Sequence, residues 1–140
     1  MKKLRILIAE DNREMRWAMI RLVAGEFEVV GSTSDGRSLI DAALTLAPDV
    51  IVTDVFMPFL TGPEAMEVLR SAGMDTPFVF VSTDTDGVED YIEAGGLGFV
   101  HKPDMSCELA RAINAAARGD VYVSRAALRE LSFQRSALSR

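Results

Sequence analysis

Cysteine and histidine are almost missing from these 140 residues, with Cys107 and His101 the only ones. A lone cysteine excludes an internal disulfide, and one residue of each kind is too few for a Cys/His zinc site. Long apolar runs are missing as well. None approaches the roughly 18 residues that cross a bilayer, so no membrane partner is expected. The first apolar stretch, from Leu4, breaks at Glu10-Asp11 and is too short for a secretory signal core, which makes the cytoplasm the expected setting. Positive charge is in deficit: 15 basic against 21 acidic residues give a net charge of −6. An acidic domain is a poor counterion for nucleic acid, so no direct nucleic-acid binding by this segment is expected. The deficit is uneven. Five arginines stand against Asp120 and Glu130 in residues 118–140, a local +3 that leaves −9 elsewhere. That basic tail reads as a solvated helix face. Repeats and low-complexity segments are absent too, which leaves the length of one compact domain.

What is present is alternation. Short apolar, β-branched runs at Leu4–Ala9, Phe27–Thr33, Val50–Thr53, Phe78–Val81 and Gly98–His101 carry few interior charges. Such runs suit strands buried on both faces of a parallel sheet. Helical patterns fill the gaps. Arg13 to Ala24 places Met15, Met19, Leu22 and Val23 on one stripe before Gly25. Arg37 to Leu46 turns Leu39, Ala43 and Leu44 inward and ends at Pro48. Pro63 to Ser71 opens with proline at a favoured first position, buries Met66 and Leu69, and stops at Gly73. Val88 to Ala94 is short, ends at Gly95-Gly96, and has only Val88, Tyr91 and Ile92 to hold it. The last helix runs from a Ser106 cap to Arg118, with Gly119 as its stop. Five βα units in a row predict an α/β fold with an open parallel sheet and helices on both faces. Beyond Gly119, Asp120–Ser124 leads into an amphipathic piece from Arg125 to about Phe133, and residues 134–140 read as frayed. The expected division is a domain over residues 1–118 and a C-terminal linker with a short amphipathic helix over residues 119–140.

In parallel α/β sheets, ligands sit outside the carboxyl ends of the strands. Glu10, Asp11 and Asn12 follow the first run, Asp54 ends the third, Ser82 and Thr83 end the fourth, and Lys102-Pro103 follow the fifth. Three carboxylates, a hydroxyl and an ammonium therefore converge on one rim. Crowded carboxylates cannot all stay ionised without compensation. A hard divalent cation supplies it, because Mg²⁺ takes oxygen ligands and needs only one or two carboxylates. Lys102 offers a mobile point charge, Ser82 a hydroxyl donor, and Asp54 a nucleophile able to form an acyl phosphate. Positioning and charge neutralisation are most of what phosphoryl transfer demands.

These motifs, Glu10-Asp11, Asp54-Val55-Phe56-Met57-Pro58 with Gly62 after it, Ser82, and Lys102-Pro103, resemble in this order the receiver domain of two-component response regulators. The resemblance covers residues 4–118. It implies a flavodoxin-like (βα)5 three-layer sandwich whose parallel five-stranded sheet has the order 2-1-3-4-5. It implies Asp54 as phosphoacceptor, supplied by a sensor histidine kinase or a small phosphodonor and assisted by Lys102 and Ser82. Asp11 and Asp54 would ligate Mg²⁺ (or Mn²⁺) directly and Glu10 through water, with the backbone carbonyl of Phe56 completing the set. Ser82 and Phe99 would form the switch pair, Phe99 turning from outside to inside as phosphate draws Ser82 inward. Output would leave through the fourth helix, fifth strand and fifth helix. A homodimer would use that face or the first and fifth helices. Such a domain is no enzyme beyond its own phosphorylation and slow dephosphorylation. The segments Glu28–Gly31, Asp35-Gly36 and Gly119–Ser124 further resemble the subfamily of transcription regulators that carries a C-terminal helix-turn-helix, and these residues end where that reader would begin.

Plainer readings stand beside these. Asp54 is equally placed for a solvated strand end, and Glu10-Asp11 for a helix start, where acids favour the dipole. Phe99 fits a plain core position. Trp17 and the seven methionines read as packing, and Cys107 as a buried or half-buried helix residue. Strand alternation points His101 away from Lys102, so it reads as a surface residue. A flavin-binding flavodoxin is excluded because Glu10-Asp11 would repel the flavin phosphate. A haloacid-dehalogenase-like phosphatase is excluded because Phe56 stands where its second acid belongs. The remaining alternative is a degenerate receiver that docks a partner without phosphate.

Overall fold

The structure, a computed structural model, describes residues 2–129. Six strands form one parallel sheet: β1 (Arg5–Ala9), β2 (Glu28–Thr33), β3 (Val50–Asp54), β4 (Phe78–Ser82), β5 (Gly98–His101) and β6 (Tyr122–Val123). Five helices connect them: α1 (Arg13–Val23), α2 (Gly36–Leu46), α3 (Gly62–Ser71), α4 (Val88–Glu93) and α5 (Met105–Ala117). The strand order is β2-β1-β3-β4-β5-β6, with every pairing parallel. The order 2-1-3-4-5 is therefore present, but the sheet has six strands rather than the expected five. Gly119, at φ 81°, reverses the chain after α5, and the Tyr122 and Ser124 amides donate to the Leu97 and Phe99 carbonyls at 2.8 Å each. A two-residue strand is too short for alternation to reveal.

Strand alternation sorts the core into two layers. Ile6, Ile8, Val50, Val52, Val79, Val81 and Val100 face α1 and α5, with Met19, Val23, Leu109 and Ile113 packed on them. Leu7, Ile51, Phe78, Phe80 and Phe99 face the other way, against Leu39, Met66, Leu69 and Val88 of α2, α3 and α4. Ala127 of the tail joins this second layer. Residues 125–129 are helical. The rest of the amphipathic piece and the expected frayed end lie outside the described residues.

Local signals explain most helix ends. Asn12 Oδ1 accepts from Met15 N–H at 2.9 Å, Asp35 Oδ1 from Ser38 N–H at 2.8 Å, and Thr61 and Glu64 form a capping box. Ser106 is not a cap. Pro103 lies in a 3-10 turn, Lys102–Asp104, that runs straight into α5, so Ser106 is already helical. Some side chains also differ from expectation. Trp17 is 53% exposed, because a residue two before the buried Met19 points to the far side of the helix. Leu22 and Leu44 flank their buried stripes and are exposed. Cys107 is exposed, opposite the Met105–Leu109–Ala112 line of α5.

Candidate functional site

The parallel order brings the ends of β1, β3, β4 and β5 to one rim. Glu10 follows β1, and its backbone is held from two sides: its amide donates to the Thr33 carbonyl at 3.0 Å, and Arg16 Nη1 donates to its carbonyl at 2.7 Å. Its carboxylate turns inward, fully buried, and accepts from Asn12 N–H at 3.1 Å through Oε2. Asp54 closes β3, nearly buried. Thr53 Oγ1 donates to the Asp54 carbonyl at 2.9 Å, and Phe56 N–H donates to Asp54 Oδ1 at 3.3 Å. Gly62 lets α3 start against this corner: a Cβ there would lie 2.5 Å from the Asp54 carbonyl oxygen.

Lys102 spans the acids. Its Nζ donates to Asp54 Oδ2 at 2.9 Å and lies 2.6 Å from Glu10 Oε1. The second contact is the shorter of the two, so Glu10 Oε1 has the Lys102 ammonium as its partner. Glu10, Asp11 and Asp54 each bring one carboxylate oxygen to within 4.8 Å of one another. Three acids against one ammonium leave net negative charge in a confined space. Burial accordingly pushes the Glu10 carboxyl above its ordinary range, and the Asp11 and Asp54 carboxylates add to that, while Lys102 and the Asn12 amide pull it back only in part. Burial also acts against the Lys102 ammonium, but Glu10 and Asp54 outweigh it and raise its pKa. The two directions agree: Lys102 has two anions to itself, whereas Glu10 shares one cation. An all-oxygen donor set with surplus negative charge fits a hard divalent cation.

Residues 6–114 match the family described as the response regulator receiver domain. The chain belongs to that family. It is 31% identical over 121 residues to the transcriptional regulatory protein LiaR of Bacillus subtilis, covering 84% of this chain and 57% of LiaR. It is 33% identical over 126 residues to a nitrate/nitrite response regulator protein homolog of Haemophilus influenzae, covering 87% and 61%. The chain thus spans about three fifths of the length of these curated relatives. A LuxR-family two-component response regulator from Aurantimonas sp. SI85-9A1 superposes at TM-score 0.90 with 24% identity, over 96% of this chain and 99% of that one, a likeness of fold. The response regulator domain of Thermotoga maritima CheB superposes at TM-score 0.75 with 26% identity, over 84% and 98%.

In this receiver domain the residues singled out from sequence assemble unevenly. Glu10, Asp11, Asp54 and Lys102 meet directly. Ser82 ends β4 one step beyond Val81, the partner of Asp54, and its Oγ accepts from Asp84 N–H at 3.1 Å. Phe56 keeps its amide on Asp54, while its ring is exposed. Phe99 lies in the core below the rim, fully buried and stacked on Tyr91 at 6.0 Å between ring centroids, so its ring already points inward rather than starting outside as expected. Asn12, already placed on the rim, and Arg16 and Thr53, which sequence reading did not single out, also shape the site. Asn12 was legible as a helix cap; an arginine reaching a backbone carbonyl six residues back leaves no sequence signal. His101 is only half-buried, yet both of its ring nitrogens are engaged.

Proposed function

We propose that this domain accepts a phosphoryl group on Asp54, in a reaction that depends on a bound Mg²⁺ or Mn²⁺, and transmits the event by changing shape. One observation carries the reading: the Asp54 carboxylate sits in a single oxygen cluster with Glu10 and Asp11 and is held by Lys102 at 2.9 Å. A lone solvated strand-end acid would have neither partner. Asp11 and Asp54 would hold the cation, with Glu10 through water and the Phe56 carbonyl. When bound, the cation supplies charge neutralisation to the acids and the incoming phosphate.

The chain's own groups do the rest. A carboxylate oxygen of Asp54 forms the new P–O bond. The bond from phosphorus to the donor, nitrogen in a phosphohistidine or oxygen in an acyl phosphate, breaks, and its electron pair leaves with the donor. Lys102 already lies against Asp54 and can follow the charge onto a phosphoryl oxygen. Ser82 Oγ accepts from Asp84, which leaves its own proton to donate to another oxygen. Drawing Ser82 toward the phosphate shifts the end of β4 against β5, and in this reading Ser82 and Phe99, whose ring already points inward, form the switch pair.

The reading makes a sensor histidine kinase the phosphodonor and the cytoplasm the setting. It limits catalysis to the domain's own phosphorylation and slow dephosphorylation. Residues 1–118 act as the receiver and residues 119–140 as the linker toward an output. Self-association uses the α4–β5–α5 face or α1 with α5. The test is intact mass after incubation with acetyl phosphate. One phosphoryl mass is expected with Mg²⁺, none with EDTA, and none in Asp54→Ala. An unchanged wild-type mass, or labelling that survives in Asp54→Ala, contradicts the reading.

A further inference from the structure

The two loops that carry Ser82 and Lys102 separate soon after leaving the sheet. The last ladder pair of β4 and β5 is Ser82 with His101. Beyond it, one loop runs toward α4 and the other enters the 3-10 turn toward α5. Among the described residues, a single hydrogen bond links residues 83–87 to the His101–Asp104 corner: His101 Nε2 to the Thr83 carbonyl at 3.1 Å. A carbonyl only accepts, so Nε2 carries a proton. On the other side of the ring, Nδ1 lies 3.2 Å from Asp104 Oδ2; a carboxylate only accepts, so this contact is a hydrogen bond when Nδ1 is protonated as well, in the imidazolium. The His101 amide donates to Ser124 Oγ at 3.2 Å, tying the backbone of the same residue to β6.

We infer that His101 is a positioning residue for phosphoryl transfer, a strut that holds the Ser82–Thr83 corner at a fixed distance from the Lys102 turn. The inference rests on the proposed roles of Ser82 and Lys102. Those two groups must meet different oxygens of one phosphoryl group, and they come from different loops. Without the strut, the hydrogen bonds left to residues 83–87 among the described residues are local ones: Asp84 N–H to Ser82 Oγ, Asp86 N–H to Asp84 Oδ1 and Tyr91 N–H to the Gly87 carbonyl. Among the described residues no hydrogen bond or ion pair joins His101 to Glu10, Asp11 or Asp54, so its replacement removes no contact of the oxygen cluster. Transfer depends steeply on placement, and a misplacement near 1 Å can cost up to about a hundredfold in rate.

The test compares wild type, Asp54→Ala, His101→Leu and His101→Gln. The rate of phosphorylation by acetyl phosphate is followed by intact mass, Mg²⁺ affinity by titration, and melting temperature separately. A glutamine amide can still donate to the Thr83 carbonyl; a leucine cannot. His101→Leu should slow phosphorylation by roughly three- to tenfold with unchanged Mg²⁺ affinity, and His101→Gln should recover most of the rate. Equal rates in all three chains that retain Asp54 would overturn the inference while leaving the phosphoacceptor reading intact. Equal slowing in His101→Leu and His101→Gln, tracking a lower melting temperature, would also overturn it by showing a packing role. A wild type that takes no phosphate, like Asp54→Ala, would remove both.

Discussion

Glu10 is the residue on which the electrostatics of the site turn. It is fully buried, its carboxyl is raised first by that burial, and the single ammonium near it is shared with Asp54. A carboxyl raised on folding binds its proton more readily in the folded chain. Its contribution to stability is therefore present below its ordinary value of 4.5 and is lost as pH rises through the folded value. In EDTA, wild type should lose stability with rising pH above 4.5 relative to Glu10→Gln, which keeps the acceptor for Asn12 N–H. Each pH unit of that window is worth about 1.4 kcal/mol. Thermal melts at pH 4 and pH 8 measure it, and a Glu10→Gln deficit equally large at both would show that the ionised carboxylate is no burden. Most of this cluster was legible in the sequence, because strand ends were readable and the acids and Lys102 sit on them. The partners of Glu10 were not legible: Arg16 and Thr33 reach its backbone through the fold.

At the scale of elements, two short pieces matter, one missed in the sequence and one read from it. The two-residue β6 gives no period to detect. Yet the segment around it is well anchored. The Glu108 carboxylate, nearly buried on α5, accepts from Tyr122 Oη–H at 2.7 Å and from Arg125 N–H at 3.3 Å, and Ser124 and Ala127 are fully buried. Burial and then Glu108 push the Tyr122 hydroxyl up to about 12. In Glu108→Gln the charge is gone while burial remains, so Tyr122 should titrate between 10 and 12. Ultraviolet titration of the two tyrosines checks this, and an unmoved Tyr122 would mean that the tail does not rest on Glu108. The second piece is α4, six residues long with only Val88 fully buried. Its shortness was legible from Asp84, Asp86 and Gly87, residues that favour turns. Segments that bury little open locally at low free energy. Hydrogen exchange across residues 83–95 of the unphosphorylated domain should therefore run faster than across α3, and slow on phosphorylation. Equal protection in α3 and α4 would make the segment a rigid wall. The long elements were read well in type and order, while the flanks of helical stripes, Leu22 and Leu44, were not, since a stripe's width is set by the neighbour that covers it.

For the molecule as a whole, the three layers place every strand's carboxyl end on one rim and leave the cores on both faces closed. Phosphorylation replaces the −1 of the Asp54 carboxylate by an acyl phosphate of roughly −1.5 to −2, so at most about one further negative charge is added to a chain that carries −6, at a point where three acids face one lysine. Under the proposed function a cation offsets that charge, and the phosphate is held as an acyl phosphate on Asp54. That chemical identity is the central claim, and borohydride tests it directly, because it reduces an acyl phosphate but leaves phosphate esters of Ser82 or Thr83 untouched. The domain is phosphorylated with acetyl phosphate and Mg²⁺, treated with tritiated borohydride, digested and mapped. The account predicts label in the peptide containing position 54 and nowhere else. Label at Glu10 or Asp11, or a stable phosphate that incorporates no tritium, would contradict it.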